Sequence, residues 1–112
     1  MLPKIARLHN TKDISRVMRS GRFFRNTCLV VKYIRNTRKH CRFAFIVSNK
    51  ISKKATVRNR IRRQLRSIIF LNKDRFRENY DMIVIVRAPL LKLTFQEIEK
   101  ELEKLLIMGK LF

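Results

Sequence analysis

Between Asp13 and Asp74 the chain carries no acidic residue. Inside that stretch lies Lys50-Ile-Ser-Lys53-Lys54-Ala-Thr-Val-Arg58-Asn59-Arg60-Ile-Arg62-Arg63-Gln-Leu-Arg66, with eight Lys/Arg in 17 residues. Val57, Ile61, Leu65 and Ile68 recur at i, i+4, i+8 and i+11, the spacing of one apolar helix face. Arg58, Arg62 and Arg66 flank that stripe at i, i+4 and i+8, and Arg60 and Arg63 fill much of the rest. Like charges four apart destabilise an isolated helix by roughly a few tenths of a kcal/mol per pair. An anion alongside reverses the sign of that interaction. A face that is merely solvated usually mixes both signs. The pattern predicts a long helix, to about Asn72, with one face in a core and the other against a polyanion.

The charge of the whole chain is equally lopsided. Of 112 residues, 28 are Lys or Arg and 8 are Asp or Glu, a formal net charge of +20. Residues 1–73 hold 21 Lys/Arg and one acid, whereas residues 74–112 hold seven of each. All the excess therefore sits in the first two-thirds, where it sets up a field that recruits an anionic polymer. With 46% hydrophobic residues the chain still builds a core. The length allows one domain, residues 1–112, burying about two-thirds of the unfolded surface. Repulsion at this charge opposes compaction, so the free form is expected to bind sulfate or other polyanions.

Asn10 to Ser20 reads as a short helix, with Ile14, Val17 and Met18 on one face, Asn10 as N-cap and Gly21 at its end. Cys28–Ile34 is rich in β-branched residues and reads as a strand. Arg42–Val47 reads as a second strand, antiparallel to the first across the polar turn 36–40. On it Phe43, Phe45 and Val47 share one face, and Arg42, Ala44, Ile46 and Ser48 the other. Asp81–Val86 is nearly all apolar, the mark of a strand buried on both faces. Thr94-x-x-Glu97 is a capping box opening a last helix whose apolar face is Phe95, Ile98, Leu102 and Leu105. The fold class is therefore α+β: a single-domain sandwich in the order α-β-β-(β)-α-β-α, a small mixed sheet packed with helices. The bracketed strand is one that the residues leave undefined.

Several kinds of chemistry find no support. Four of the eight acids, Glu97, Glu99, Glu101 and Glu103, lie on one helix in an exposed pattern, so catalytic side chains are expected to be absent. His9, His40, Cys28 and Cys41 match no metal-ligand spacing, and Cys28 reads as a small core residue. The only glycines are Gly21 and Gly109, which excludes a glycine-rich phosphate loop. No apolar run approaches the ~20 residues of a membrane span, and Lys4, Arg7 and Lys12 interrupt any export signal. A cytoplasmic protein with reduced thiols and no membrane contact is expected. Phe23 and Phe24, between Arg22 and Arg25, either stack unpaired bases or pack over the edge of the core. Asn59 either pairs with a base edge or sugar hydroxyl or is an ordinary polar helix residue. Nucleic acid is the indicated partner, and RNA is favoured if stacking and shape carry recognition.

At this point the sequence resembles a known family, the protein subunit of bacterial ribonuclease P. Three stretches carry the resemblance. Asp13-Ile14 through Val17, Met18 and Gly21 is similar to the family's opening helix and glycine. Arg42-Phe-Ala-Phe-Ile-Val-Ser48 through Arg58-Asn59-Arg60 to Arg66 is similar to its strand, loop and Arg-Asn-Arg helix. Asp81-Met-Ile-Val-Ile-Val-Arg87 is similar to its last strand and trailing arginine.

The resemblance implies a ribonucleoprotein endoribonuclease that removes the 5′ leader of precursor tRNA. The RNA subunit carries the active site there and uses magnesium. It further implies a left-handed βαβ crossover around the Arg-Asn-Arg helix, against the usual right-handed rule. The implied partners are the catalytic RNA subunit and precursor tRNA. Catalytic-RNA contacts carry over to Arg58, Asn59, Arg60, Arg62, Arg63 and Arg66, with Lys50, Lys53 and Lys54 in the preceding loop. A cleft for the single-stranded leader carries over to Ile14, Val17, Met18, Lys32, Arg42, Ala44, Ser48 and Arg87. Ile14, Met18 and Lys32 stand where aromatic residues are usual in the family, Asn49 where Lys is, and Ser67 where Glu is. Two other readings of the residues alone remain open: a structural RNA-binding protein of the ribosomal kind, and a protein that cuts RNA unaided.

Overall fold

Strand β4 (Tyr80–Val86) is the centre of the molecule, with every residue but Ile85 buried. A strand apolar on both faces must be covered on both, and it therefore lies between neighbours. The computed structural model describes residues 6–112. Around β4 it arranges α1 (Thr11–Ser20), β1 (Arg22–Arg25), β2 (Leu29–Arg35), β3 (Arg42–Ile46), α2 (Ala55–Leu71) and α3 (Phe95–Met108). The sheet order is β1-β2-β4-β3. β1 and β2 are antiparallel, β2 and β4 are antiparallel, and β3 runs parallel to β4. Helix α2 makes the crossover from β3 to β4. The α+β class and the mixed sheet agree with the sequence.

One pairing read from the sequence is overturned. Residues 28–34 and 42–47 do not form an antiparallel hairpin, because β4 is inserted between them. A hairpin of β2 with β3 would leave the most apolar strand at an edge. The turn 36–40 instead crosses the start of β4. There the Asn36 amide donates to the Asn79 carbonyl at 2.9 Å, and Asn79 Nδ2 donates to the Arg38 carbonyl at 2.8 Å.

The sheet separates two apolar layers. On one face Val31, Tyr33, Phe43, Val47, Met82, Val84 and Val86 pack under Ile61, Leu65, Ile68 and Ile69 of α2 and Ile98, Leu102, Leu105 and Leu106 of α3. The stripe read on α2 is thus its buried face, though Val57 at its start is only half-buried. The Thr94–Glu97 capping box is present in both directions. On the opposite face the layer is small: Leu8, Val17 and Ile83, with Ile14, Ile34, Ala44, Ile46 and Ile85 partly covered. The extra strand does not follow residues 42–47, where the sequence order bracketed it, but precedes β2: it is β1, four residues on the outer edge.

Gly21 ends α1 with φ −72°, a conformation open to any residue. Its requirement is spatial. A Cβ there would lie 2.4 Å from the Val17 carbonyl oxygen and 3.1 Å from that of Tyr33. Gly21→Ala must push α1 or β1 off the sheet. It is expected to cost about 1–3 kcal/mol, read as a lower urea midpoint at unchanged slope in sulfate buffer.

Candidate nucleic-acid interface

Helix α1 is fastened across the sheet by a cluster of charges centred on a buried pair. Asp81, at the start of β4, is fully buried, and Arg42 on the paired position of β3 is 8% exposed. Arg42 Nε donates to Asp81 Oδ1 at 2.9 Å and Nη2 to Oδ2 at 2.6 Å, a forked pair. Its Nη1 reaches Asp13 Oδ2 on α1 at 3.2 Å. Asn36 Nδ2 donates to Asp81 Oδ1 at 2.8 Å, and Arg16 Nη2 lies 3.6 Å from both Asp13 and Asp81. Burial pushes the Asp81 carboxyl up. The hydrogen bonds from Arg42 and Asn36, with the Arg42 and Arg16 charges, outweigh it and hold the carboxyl below its ordinary value. The Asp81 hydrogen bond raises the Arg42 guanidinium in return.

Two residues assigned to the leader cleft from sequence lie deeper than the rest. Arg42 is bonded to Asp81 and Asp13, and it lines a hollow shared with Arg16, Arg35, Asn36 and Arg38 rather than with Met18 and Lys32. Val17 is 0% exposed, the anchor of α1 against Ile83 and Leu8. Both sit on the predicted face, and their depth comes from packing that spacing does not record.

Of the other residues assigned to the cleft, Ile14, Met18, Lys32 and Ala44 lie on α1 or on the sheet face that α1 crosses, whereas Ser48 and Arg87 lie beyond the ends of their strands. Helix α1 covers only part of its sheet face and leaves a shallow groove. Ile14 and Met18, the latter 38% exposed, form the helical wall. Lys32 and Ala44, both paired with Ile83, form the floor. Lys32 Nζ donates to the Met18 carbonyl at 3.4 Å, which draws the cation to the end of α1. Ile46, Ile85 and Val30 extend the floor by one row and are half-exposed. Sequence reasoning left them out, although strand alternation from Ala44 and Ile83 points to Ile46 and Ile85. Ser48 is exposed past the end of β3. Arg87 is exposed beyond β4, with Nη1 donating to the Asn26 carbonyl at 3.1 Å.

The basic surface lies across the β3 edge from this groove. Arg62 Nη2 donates to the Val47 carbonyl at 3.3 Å and Nη1 to Asn59 Oδ1 at 2.8 Å, while Arg58 Nη1 donates to the Ser52 carbonyl at 2.9 Å. Asn59 is thus engaged by Arg62 on the helix surface. Arg60, Arg63, Lys50, Lys53 and Lys54 are exposed. Partial burial of Arg66, then the charges of Arg7 and Arg62, lower its guanidinium pKa. Arg7 itself bridges to Phe43 on β3. Among the described residues no carboxylate stands within ion-pair distance of Arg58, Arg60, Arg62, Arg63 or Arg66. The first turn of α2 holds no acid, and its N-cap, Lys54, offers no side-chain bond. The start of α2 therefore gathers cations with no acid among them, a setting that favours an anion.

Other chemistry has no comparable frame. Cys28 is buried and Cys41 half-buried, both as free thiols, and burial raises the pKa of each. Among the described residues no three His, Cys, Asp or Glu converge on a common point, and no helix is long and apolar enough to cross a membrane.

A mixed sheet bearing an unneutralised arginine helix beside a half-open apolar groove defines a single-domain RNA-binding protein. Residues 2–109 match the ribonuclease P family model. The ribonuclease P protein component of Synechocystis is 34% identical over 105 residues, covering 93% of this chain and 85% of that protein. Its counterpart from Pelotomaculum thermopropionicum is 38% identical over 99 residues, 88% of each. The RNase P protein structure from Staphylococcus aureus superimposes with a TM-score of 0.89 at 30% identity, covering 96% of this chain and 97% of that one. That from Thermotoga maritima gives 0.82 at 29% identity over 89% and 94%. The chain belongs to the ribonuclease P protein family.

The Asp81 clamp sets an expectation for acid stability. A depressed folded-state pKa contributes stability that is present above the ordinary carboxylate value near ~4 and is lost as pH falls through the lower folded value. Asp81→Asn leaves the buried Arg42 charge with only the partly exposed Asp13 and should cost about 3 kcal/mol at neutral pH. Urea unfolding against pH should also show a shallower acid loss in the variant than in the parent.

Proposed function

We propose that the outward face of α2 seats the catalytic RNA while the groove between α1 and the sheet holds the single-stranded leader of the substrate. Ribonuclease P is a ribonucleoprotein endonuclease that produces the mature 5′ end of tRNA, and this chain acts as its protein subunit, with the RNA subunit and precursor tRNA as partners. The observation that carries the division of labour is the set of arginines on α2 with no carboxylate near them.

Arg60 and Arg63 present forked donors that match phosphate oxygens. Arg58 and Arg62 are already oriented by backbone carbonyls of this chain, so less freedom is given up when a phosphate arrives. Lys50, Lys53 and Lys54 extend the same charge around the start of the helix. The groove has a complementary character: an apolar wall and floor with one lysine at its end suits unstacked bases followed by phosphate. Ile14 and Met18 give apolar contact without a ring. Magnesium held by the RNA subunit would supply the activation of water, and no protein side chain takes part in that step. The protein's cations offset repulsion between substrate and catalytic RNA, which lowers the magnesium needed. On this reading the protein works in the cytoplasm, where tRNA precursors are made.

Two measurements test the two surfaces separately. Arg60→Gln with Arg63→Gln should weaken assembly with the RNA subunit. It should also reduce the slope of log affinity against log salt by about one for each phosphate no longer neutralised. An unchanged slope would turn those side chains to solvent. For the groove, the assembled enzyme should bind precursor tRNA more tightly than tRNA without a leader. Equal affinities would remove the leader from the groove.

A further inference from the structure

Phe23 and Phe24 are adjacent in sequence and opposite in place. Phe24 lies on the core face: its ring stacks on Tyr33 at 5.9 Å, and a Cβ at Gly109 would touch it at 2.5 Å. Phe23 falls on the other face, in the row Phe23, Lys32, Ile83 and Ala44 that crosses the sheet into the groove. It is 56% exposed and belongs to neither apolar layer. A large ring left mostly in solvent gains little for stability. Its surroundings are those of a base platform. Lys32 is its direct cross-strand neighbour, and Arg25, two residues on and paired with Val30, lies on the same face. Among the described residues neither cation is in an ion pair.

We propose that Phe23, flanked by Lys32 and Arg25, is a nucleobase-stacking subsite on the edge strand β1, which takes one unpaired base of the leader beyond the helix–sheet groove. The occupant is single-stranded RNA because the ring needs an unstacked π-face and the two cations need its adjoining phosphates. The subsite supplies an aromatic surface that Ile14, Met18 and Lys32 do not. It rests on the leader occupying the groove, and the experiment separates the two.

The test is equilibrium binding of precursor tRNA to the reconstituted holoenzyme, with a graded series of leader lengths and leaderless tRNA as reference. Phe23→Leu keeps an apolar side chain and, at an exposed position, should leave the thermal melt unchanged. It should weaken binding by about five- to hundred-fold once the leader is long enough to reach β1, and not at all without a leader. Phe23→Trp should restore affinity and lose indole fluorescence when the long-leader substrate binds. If the parent enzyme is leader-dependent and Phe23→Leu matches it at every length, the subsite is refuted while the groove stands. If Phe23→Leu weakens leaderless tRNA equally, the ring meets another part of the RNA and the proposal also fails. If the parent ignores the leader altogether, both readings fall together.

Discussion

The contact on which the rest of the molecule depends is the forked pair between Arg42 and Asp81, with Asp13 and Arg16 closing over it from α1. A buried ion pair of this kind is a weak source of stability, since desolvation cancels much of its attraction. Its value here is positional. It fixes one end of α1 above the sheet, while Val17 on Ile83 and the close approach at Gly21 fix the other. Helix α1 is thereby prevented from sliding over Ala44, Ile46 and Ile85, and the groove stays open. The same cluster also consumes Asp13, the single acid among the first 73 residues. No other acid of those residues is left to pair with the arginines of α2.

Helix α2 is held by the opposite face of the sheet, which lets it carry so much charge. Ile61, Leu65, Ile68 and Ile69 are buried against the sheet and α3, so the helix does not depend on its own repelling arginines for stability. The charges are free to serve recognition. Groove and basic helix meet along β3: Arg62 is bonded to the Val47 carbonyl on one side of the strand, and Ile46 lies on the other. RNA bound to the helix and a strand running through the groove would be neighbours without sharing residues.

Much of this was legible from local pattern. The stripe of α2, the capping box of α3 and the two-sided burial of the last strand are periodic or short-range features, and they agree with the structure. What local pattern does not encode is partnership between distant strands. The loop 36–40 looks like a hairpin turn, yet β4 takes the position between β2 and β3 because burying it on both faces outweighs a short connection. Strand β1 is four residues with two arginines, too short and too charged to register as alternation. Depth is equally hidden. Val17 and Met18 are neighbours on one helical face, and only the packing distance makes one a core anchor and the other a groove wall. Arg42 carries a charge that suits RNA, and only its register against Asp81 shows that the charge is already spent.

If the polypeptide neutralises and positions RNA while bond cleavage belongs to the RNA subunit, the two roles separate in one magnesium titration. Cleavage of precursor tRNA should be followed with nuclease-free protein alone, RNA subunit alone and the two together. The protein alone should cleave at no magnesium concentration, the RNA alone should cleave at high magnesium, and added protein should shift that curve to lower magnesium. Cleavage by the protein alone, or an RNA titration curve that the protein leaves unmoved, would contradict this division of roles.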